Sequence, residues 1–570
     1  MNVITNFSII IFLSVLFTGN QGYTHKEPSG GRGQNIIGCS APSAEEFATD
    51  ENGKYIPAMP GWGHHFYKVN TNDDSAQFYF NQGLTMYYSY HAHEAIASFK
   101  EAARIDNSCA MAYWGQALAM GPGYNSAYGY AMGKGVPAVI KQMNDAAANA
   151  SPKERELIAV MQKRYNTADA SDAQRKQLNN AYAEGMKQLM LEYPDDNDIK
   201  ALYIDAVMLI HAWNFWNPDG TPQPWTPELV TLSEGILKND PRHPGALHYH
   251  IHVTEASRNP MVALSSADSL KSLFPGVAHM IHMSSHEYER SGLYASGVEV
   301  NEKADADLVN YRSLAANVKL NAHVGHYFAV GAYCALSGGM YKEALSFAER
   351  CRTVLAPSYE NTGDQYLYML PQLAQVRLGK WKEIIADNSA PDGNWTYAGI
   401  LYNFAKGMAY THEGDVAMAQ QQLAALREKE PDTILKVRDY PFNTPYEGAV
   451  IAEHILSAHI LFAEKKYETA ISEIQKAISV EDKMIYGEPR DWMLPARQYL
   501  GAFLLQMNQP KQAEKIYRED QQYNPGTGWS LLGLYQSLVA QHKEKEAAPY
   551  RQQYLVSFSH ADEIPTASVY

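Results

Sequence analysis

The sequence predicts an all-α fold, a right-handed superhelical solenoid of stacked helix hairpins. Three observations lead there. Matching residues recur 34 positions apart, small residues that let paired helices approach recur with them, and strand-like alternation is scarce. At 570 residues, with 46% hydrophobic and 19% charged, the chain is too long for one ordinary core and suits an array.

The units can be read in order along the chain. The first carries Gly83, Ala95, Phe99 and Ala102 in NQGLTMYYSYHAHEAIASFKEAARID. Further units phase on Ala263, Gly297, Ala344, Ala419, Ala470 and Ala513. Pro275, Pro431 and Pro525 each stand twelve residues after such an anchor, where a repeat closes. Trp529, Leu532 and Gly533 follow in NPGTGWSLLG. A large residue, Leu-Gly, Ala, an apolar residue, Ala and Pro at these offsets form the tetratricopeptide pattern, two helices per roughly 34 residues. About eight to ten hairpins are expected over 73–570, with the first helix of each lining a concave groove. Insertions near 121–150 and 217–226 interrupt the array: GPGYNSAYGYAMGKG is too rich in Gly to be regular helix, and NPDGTPQPWTP is a loop ending at a helix start. Residues 23–72 lack periodicity and are expected to drape over the first repeat.

Residues 1–22 read as a signal peptide. The run Ser8 to Thr18 is apolar and uncharged, and it is shorter than the roughly 20 residues a spanning helix needs. Export to a periplasm or the exterior is the expectation, with an uncleaved N-terminal anchor as the alternative, because the n-region has no Lys or Arg. No later segment is suited to a stable membrane span. The net charge of −15 without a basic block argues against nucleic acid as partner. Four cysteines, Cys39, Cys109, Cys334 and Cys351, leave two readings: a Cys334–Cys351 disulfide within one hairpin, or buried free thiols.

Chemistry concentrates in one region. Of 20 histidines, nine fall between His243 and His326. His282 follows His248 by 34 residues, His286 follows His252 by 34, and Glu289 follows Glu255 by 34. An H-x3-H-x2-E pattern thus recurs at the repeat period, with all three side chains on one helix face. His279 and His326 take position 2 of their own units and point the same way. Axes of directly packed helices are about 8–10 Å apart, so imidazoles from neighbouring helices can share a metal. The candidate ligands are His248, His252, His279, His282, His286, His323 and His326. Zinc, copper, iron or manganese suits that donor set. Glu255 and Glu289 are candidate ligands, orienting partners or general bases. His250 faces away, and His91, His93 and His454 stand alone as packing or surface residues. The bland alternative is that groove histidines hydrogen-bond a polar ligand, or are satisfied by backbone carbonyls.

The wording HPGALHYHIHVTEAS followed by AHMIHMSSHEYERSGLY resembles a family of bacterial tetratricopeptide proteins with the consensus HPGALHYxIHxxE…GHxxHMPSHIYxRxGxY. CAMAYWGQALAMGPGYN, YGEPRDWMLPARQYLGAFLL and AEKIYREDQQYNPGTGWSLLGLYQSL agree with it, so the resemblance spans about Gln77 to about Ala547. It implies no activity. It does imply that His248, His252, His279, His282 and His286 fall on recurring family histidines, with His323 and His326 on a later HxxH-like element. The chain departs from that consensus at Ser284, where the family has Pro, and at Glu287, while Ser285 keeps the family's Ser. In YGEPRDWMLPAR, Glu488, Trp492 and Arg497 are groove candidates, against an inter-repeat elbow with an internal Glu–Arg pair.

No phosphate loop, dinucleotide fingerprint or nucleophile elbow is present, so no nucleotide cofactor is expected. Two readings of the groove remain. One is a transition-metal site, sequestering or catalytic; the other is a metal-free scaffold for a peptide, protein or small molecule. A pH-sensitive binder is a third.

Overall fold

The computed structural model describes residues 47–62, 65–127, 130–165, 170–318, 324–437 and 443–570. The expected signal peptide, Cys39 and His323 lie outside the described residues. The fold is all-α, a solenoid of tetratricopeptide-like hairpins: 25 α-helices, and no β-strand among the described residues. That is more than eight to ten hairpins require. Short helices supply the excess, including Val136–Ala146, inside the stretch expected as an insertion, and Thr362–Tyr368. No described helix is long and apolar enough to cross a membrane.

Local sequence explains the helix starts. Asp73 caps Asp74–Tyr88 by accepting from the Ser75 and Ala76 amides. Ser151 and Ser171 each close a reciprocal capping box, with Glu154 and Gln174. Pro244 opens its helix at a position where a missing N–H costs nothing. Some hairpins then close by inserting an aromatic ring against glycine. A Cβ added at Gly83 or Gly115 would lie 2.7 or 2.4 Å from the Phe99 ring, and one at Gly501 or Gly533 would lie 2.4 or 2.2 Å from Tyr517. One ring therefore sits between glycines of its own hairpin and the next, which sets the stacking distance of both.

The segment before the first helix forms a belt. Ile56, Met59, Trp62, Tyr67 and Val69 are buried. Gln82 accepts from the Met59 amide and Gln77 from the Val69 amide, at 2.8 and 3.1 Å. Trp62 stacks on Tyr311 at 4.5 Å, so the belt reaches the hairpin beginning at Ala278.

The solenoid curls until its C-terminal hairpins return onto its middle. Trp529 Nε1 donates to the Ser337 carbonyl at 2.9 Å, and the Asp562 amide donates to the Gly339 carbonyl at 3.1 Å. Gly292, at φ +72°, and Gly526, at φ +76°, meet backbone to backbone: a Cβ on Gly292 would stand 2.1 Å from the Gly526 carbonyl oxygen. The inner face at the middle of the array is therefore closed, and the open groove expected there is filled by the chain itself. Two large apolar cores, one from Ile56 to Tyr327 and one from Tyr294 to Val569, meet at this point.

Cys334 and Cys351 are free and buried, not paired. Cys334 Sγ instead faces Gly297, where an added Cβ would meet it at 2.5 Å.

Gly115→Ala is expected to destabilise the fold by about 1–3 kcal/mol through overpacking against Phe99. Gly393→Ala, with nothing within 4 Å, is expected to change stability by less than about 0.5 kcal/mol. Chemical denaturation of both variants checks the pair; equal effects would refute the ring-between-glycines account.

Candidate metal centre

Three successive inner helices build the site: Pro244–Thr254, Ala278–Arg290 and Val324–Ser337. The first contributes His248 and His252, one helical turn apart. The second contributes His279, followed one and two turns later by His282 and His286. The third contributes His326. All six are buried, between 0% and 5% exposed.

The sequence spacing suggests a single meeting point for the two pairs. The structure makes two. His248, His252 and His279 form one triad, and His282, His286 and His326 form another. Each triad joins the pair from one helix to the position-2 histidine of the next. In the first, His248 Nε2 lies 3.1 Å from His252 Nε2 and 3.2 Å from His279 Nε2. In the second, His286 Nε2 lies 2.9 Å from His282 Nε2 and 3.4 Å from His326 Nε2. Within each triad the ligand atoms all fall within 4.8 Å of one another.

The series stops at both ends for visible reasons. The position in the first helix equivalent to His279 is Gly245, where an added Cβ would lie 2.8 Å from the Tyr88 ring. In the third helix the positions equivalent to the pair are Ala329 and Tyr333.

The opposite edge of each paired ring is fixed by an acceptor. His248 Nδ1 donates to the Tyr88 carbonyl at 2.6 Å. His282 Nδ1 donates to Asn301 Oδ1 at 2.7 Å, and the Asn301 amide is oriented by its own donation to the Gly297 carbonyl. His252 Nδ1 and His286 Nδ1 donate to the two oxygens of one carboxylate, Glu255, at 2.9 Å each. Glu488 adds a second acceptor to His252 at 3.2 Å. A neutral imidazole has one N–H and one lone pair. With Nδ1–H engaged on each, the paired rings bring their Nε2 atoms face to face across about 3 Å, a contact that closes on a proton or a cation between them.

Electrostatics hold charge on this network. Burial opposes ionisation of Glu255, but His286 and His252 overcome it and hold the carboxyl well below its usual range. Burial also disfavours charge on His252; Glu488 and Glu255 outweigh it and raise the imidazole to about 9. His248 is driven well down by burial and by His252. Aromatic rings wall the triads from water. Tyr90 lies 4.5 Å from His248, Tyr124 4.9 Å from His252, and Tyr327 4.4 Å from His282.

Several sequence-based expectations are corrected. Glu289 does not repeat the role of Glu255. Glu255 caps the end of its helix and turns back to the histidines, whereas Glu289 lies inside its helix and lines a small cavity with Arg377 and Tyr333. Both Glu255 oxygens accept imidazole N–H groups. Among the groove candidates, only Glu488 reaches the histidines, from a backbone at φ +49° that is strained for a non-glycine residue. Trp492 is core, packed edge-on against Phe404. Arg497 pairs with Asp482 rather than Glu488. His91 is not isolated: its ring lies 6.4 Å from His279. Tyr90, Tyr124 and Asn301 carried no periodic signal and were missed.

A third cluster, His65, Asp198 and His243, also gathers donor atoms. His243 Nδ1 caps its helix by accepting from the Ala246 amide, so its proton is on Nε2, facing Asp198 at 3.5 Å. His65 Nε2 is 2.7 Å from the same oxygen, to which the Tyr88 hydroxyl donates at 2.9 Å. This is a buried ionic network and not a lone-pair site. Burial resists ionisation of Asp198, yet His65 and His243 hold it far below the usual carboxylate range. Burial depresses His65, and Asp198 outweighs it and raises it.

The lowered carboxylate stabilises the fold above its unfolded value, about 3.9, and this is lost as pH falls. The raised imidazole stabilises below about 6.5, and this is lost as pH rises. Asp198→Asn is therefore expected to cost most between about pH 4 and 6.5, on the order of 3 kcal/mol. Denaturation across pH checks this; a cost that stays flat from pH 3 to 9 would contradict it.

Comparison with known proteins adds little beyond the fold. Among solved structures the chain is similar to a human IFIT1 dimer with m7Gppp-AAAA, at 12% identity over 85% of this chain and 95% of that one, with a TM-score of 0.34. It is similar to the TPR domain of P58(IPK), at 15% identity over 60% and 89%, TM-score 0.18, and to yeast Tom70, at 10% identity over 84% and 93%, TM-score 0.28. No protein-family model matches the chain, and no curated protein matches it.

Proposed function

We propose that this solenoid binds transition-metal ions in its interior, one at each imidazole triad, and that the protein is exported. The observation that carries the metal reading is the convergence of three Nε2 atoms in each triad, with the Nδ1 edges of the paired rings already hydrogen-bonded. Two nitrogens on one tetrahedral ion at roughly 2.0–2.1 Å stand about 3.3–3.4 Å apart. The Nε2 separations of 2.9–3.4 Å approach that spacing. Three imidazoles leave one position of a four-coordinate ion open, as catalytic sites do and closed structural sites do not. Neutral nitrogen donors favour zinc, copper or iron; manganese, better served by oxygen, fits less well.

Glu255 joins the two triads. One carboxylate orients a ring of each, and its charge offsets part of two ions. Rings of the two triads approach to 5.9 Å at His279–His282 and 6.2 Å at His252–His286. A metal-activated water or a small molecule at the open positions would support hydrolytic or oxidative chemistry.

The alternative is a metal-free scaffold. Its support is on the outside, where the neighbouring Met261 and Val262 are 55% and 41% exposed. With the inner face closed, a partner protein would use such an outer surface.

Elemental mass spectrometry of the purified protein tests the proposal. Two equivalents of one transition metal per chain are expected. His248→Ala and His282→Ala should each lose about one equivalent, and the double variant both. Protein that takes up no zinc, copper or iron when folded and loaded would overturn the metal reading and leave the scaffold.

A further inference from the structure

Two loops, 217–222 and 484–490, of which only the second reaches the histidines, line a cavity of about 40 Å³. Its walls include Arg258, Arg290, Arg490, Trp216, Tyr486 and Tyr523. Three guanidinium groups face this one space, Arg290 buried and Arg258 and Arg490 half-buried, and a desolvated charge is ordinarily paired.

The protein supplies part of that pairing, through Glu289 toward Arg290 and Arg490 and through Asp219 toward Arg258; burial pushes the Glu289 carboxyl up, and Asp219 is exposed. Arg290, 3% exposed, donates through Nε to the Glu255 carbonyl at 2.8 Å and through Nη2 to the Ser257 carbonyl at 3.0 Å. Arg490 donates through Nη2 to the Tyr523 carbonyl, and its buried Nε has no hydrogen-bond partner. Arg258 lies over the Tyr523 ring at 4.4 Å. Among the described residues, none of the three forms an ion pair. The acidic residues on the same wall are otherwise engaged. Asp482 is held by Arg497 through both oxygens. Glu481 accepts from the Ala496 amide, and burial pushes its carboxyl up to about 7, which reduces its negative charge.

The arrangement is held firmly. Gly220 adopts φ +85°, and a Cβ there would lie 2.5 Å from the Arg258 side chain, so the 217–222 loop presses that side chain into the wall. Arg290 is one helical turn beyond His286, so the cavity adjoins the histidine centre.

We propose that this cavity binds the carboxylate of a small molecule. Guanidinium forks match a planar carboxylate through paired N–H donors. A water needs roughly 10–15 Å³ on the same measure, so the space takes about three waters, room enough for a carboxylate group. Tyr486 and Trp216 offer ring surface to the attached carbon chain. The proposal does not depend on the metal reading.

Calorimetric titration of the full chain with sodium acetate and with inorganic phosphate, at low ionic strength, provides the test. It is run on the purified protein and again after chelator treatment. Acetate is expected to bind once per chain in both states, more tightly than phosphate, and Arg490→Gln and Arg258→Gln should each weaken it at least tenfold. Because a variant can fail to fold, wild-type protein is also mapped with phenylglyoxal, where acetate should protect Arg258 and Arg490 from modification. Absence of acetate binding, binding untouched by both variants or lacking protection, or tighter binding of phosphate would overturn the proposal. Acetate binding abolished by chelation would assign the anion to a metal and overturn it too. Acetate binding to protein that takes up no metal would sustain this site while the metal centre fails.

Discussion

One carboxylate organises the centre. Glu255 takes an imidazole N–H on each oxygen, and those two rings belong to different triads on neighbouring helices. This requires the ends of Pro244–Thr254 and Ala278–Arg290 to be held in register. Arg290 supplies part of the restraint by donating to the Glu255 backbone carbonyl. The carboxylate also fixes which edge of each ring faces inward. Without it, His286 would lose the acceptor that fixes its Nδ1–H, while His252 would keep only Glu488.

The closeness of the inner helices is a packing result. Aromatic residues seated between glycines bring hairpins together, and Gly292 against Gly526 brings the last hairpins onto the middle ones. That closure separates this solenoid from an open peptide-binding groove. It carries Glu488 to His252 across 236 positions of sequence. It also buries the histidines, and burial gives each polar contact its weight, since a desolvated imidazole or carboxylate left without a partner is costly.

Much of the fold was legible in the sequence. Repeat anchors such as Ala95, Phe99, Ala344 and Gly533 mark hairpins directly, because close helix packing leaves few residue choices at the contact. The candidate ligands were legible for the same reason: a 34-residue period places His248 beside His282 and His252 beside His286. The partners at Nδ1 were not. Tyr88 acts through its backbone carbonyl, which no side-chain pattern encodes, and Asn301 comes from an outer helix with no periodic tie to His282. Glu289 shows the limit of arguing from period alone. It matches Glu255 in spacing, yet one residue ends its helix and the other does not, so their carboxylates point to different places.

The sequence by itself determined an all-α repeat array and a run of imidazoles along consecutive inner helices, because helical phase and repeat period are local properties written residue by residue. Tertiary structure decided how those imidazoles group, since grouping depends on which neighbour each ring leans toward and on what holds its far edge. It also decided that the inner face is closed, and that Glu488 and Arg490 arrive from a distant segment beside the histidines. Those outcomes follow from the cumulative curl of stacked hairpins, a sum of small rotations that no single unit carries.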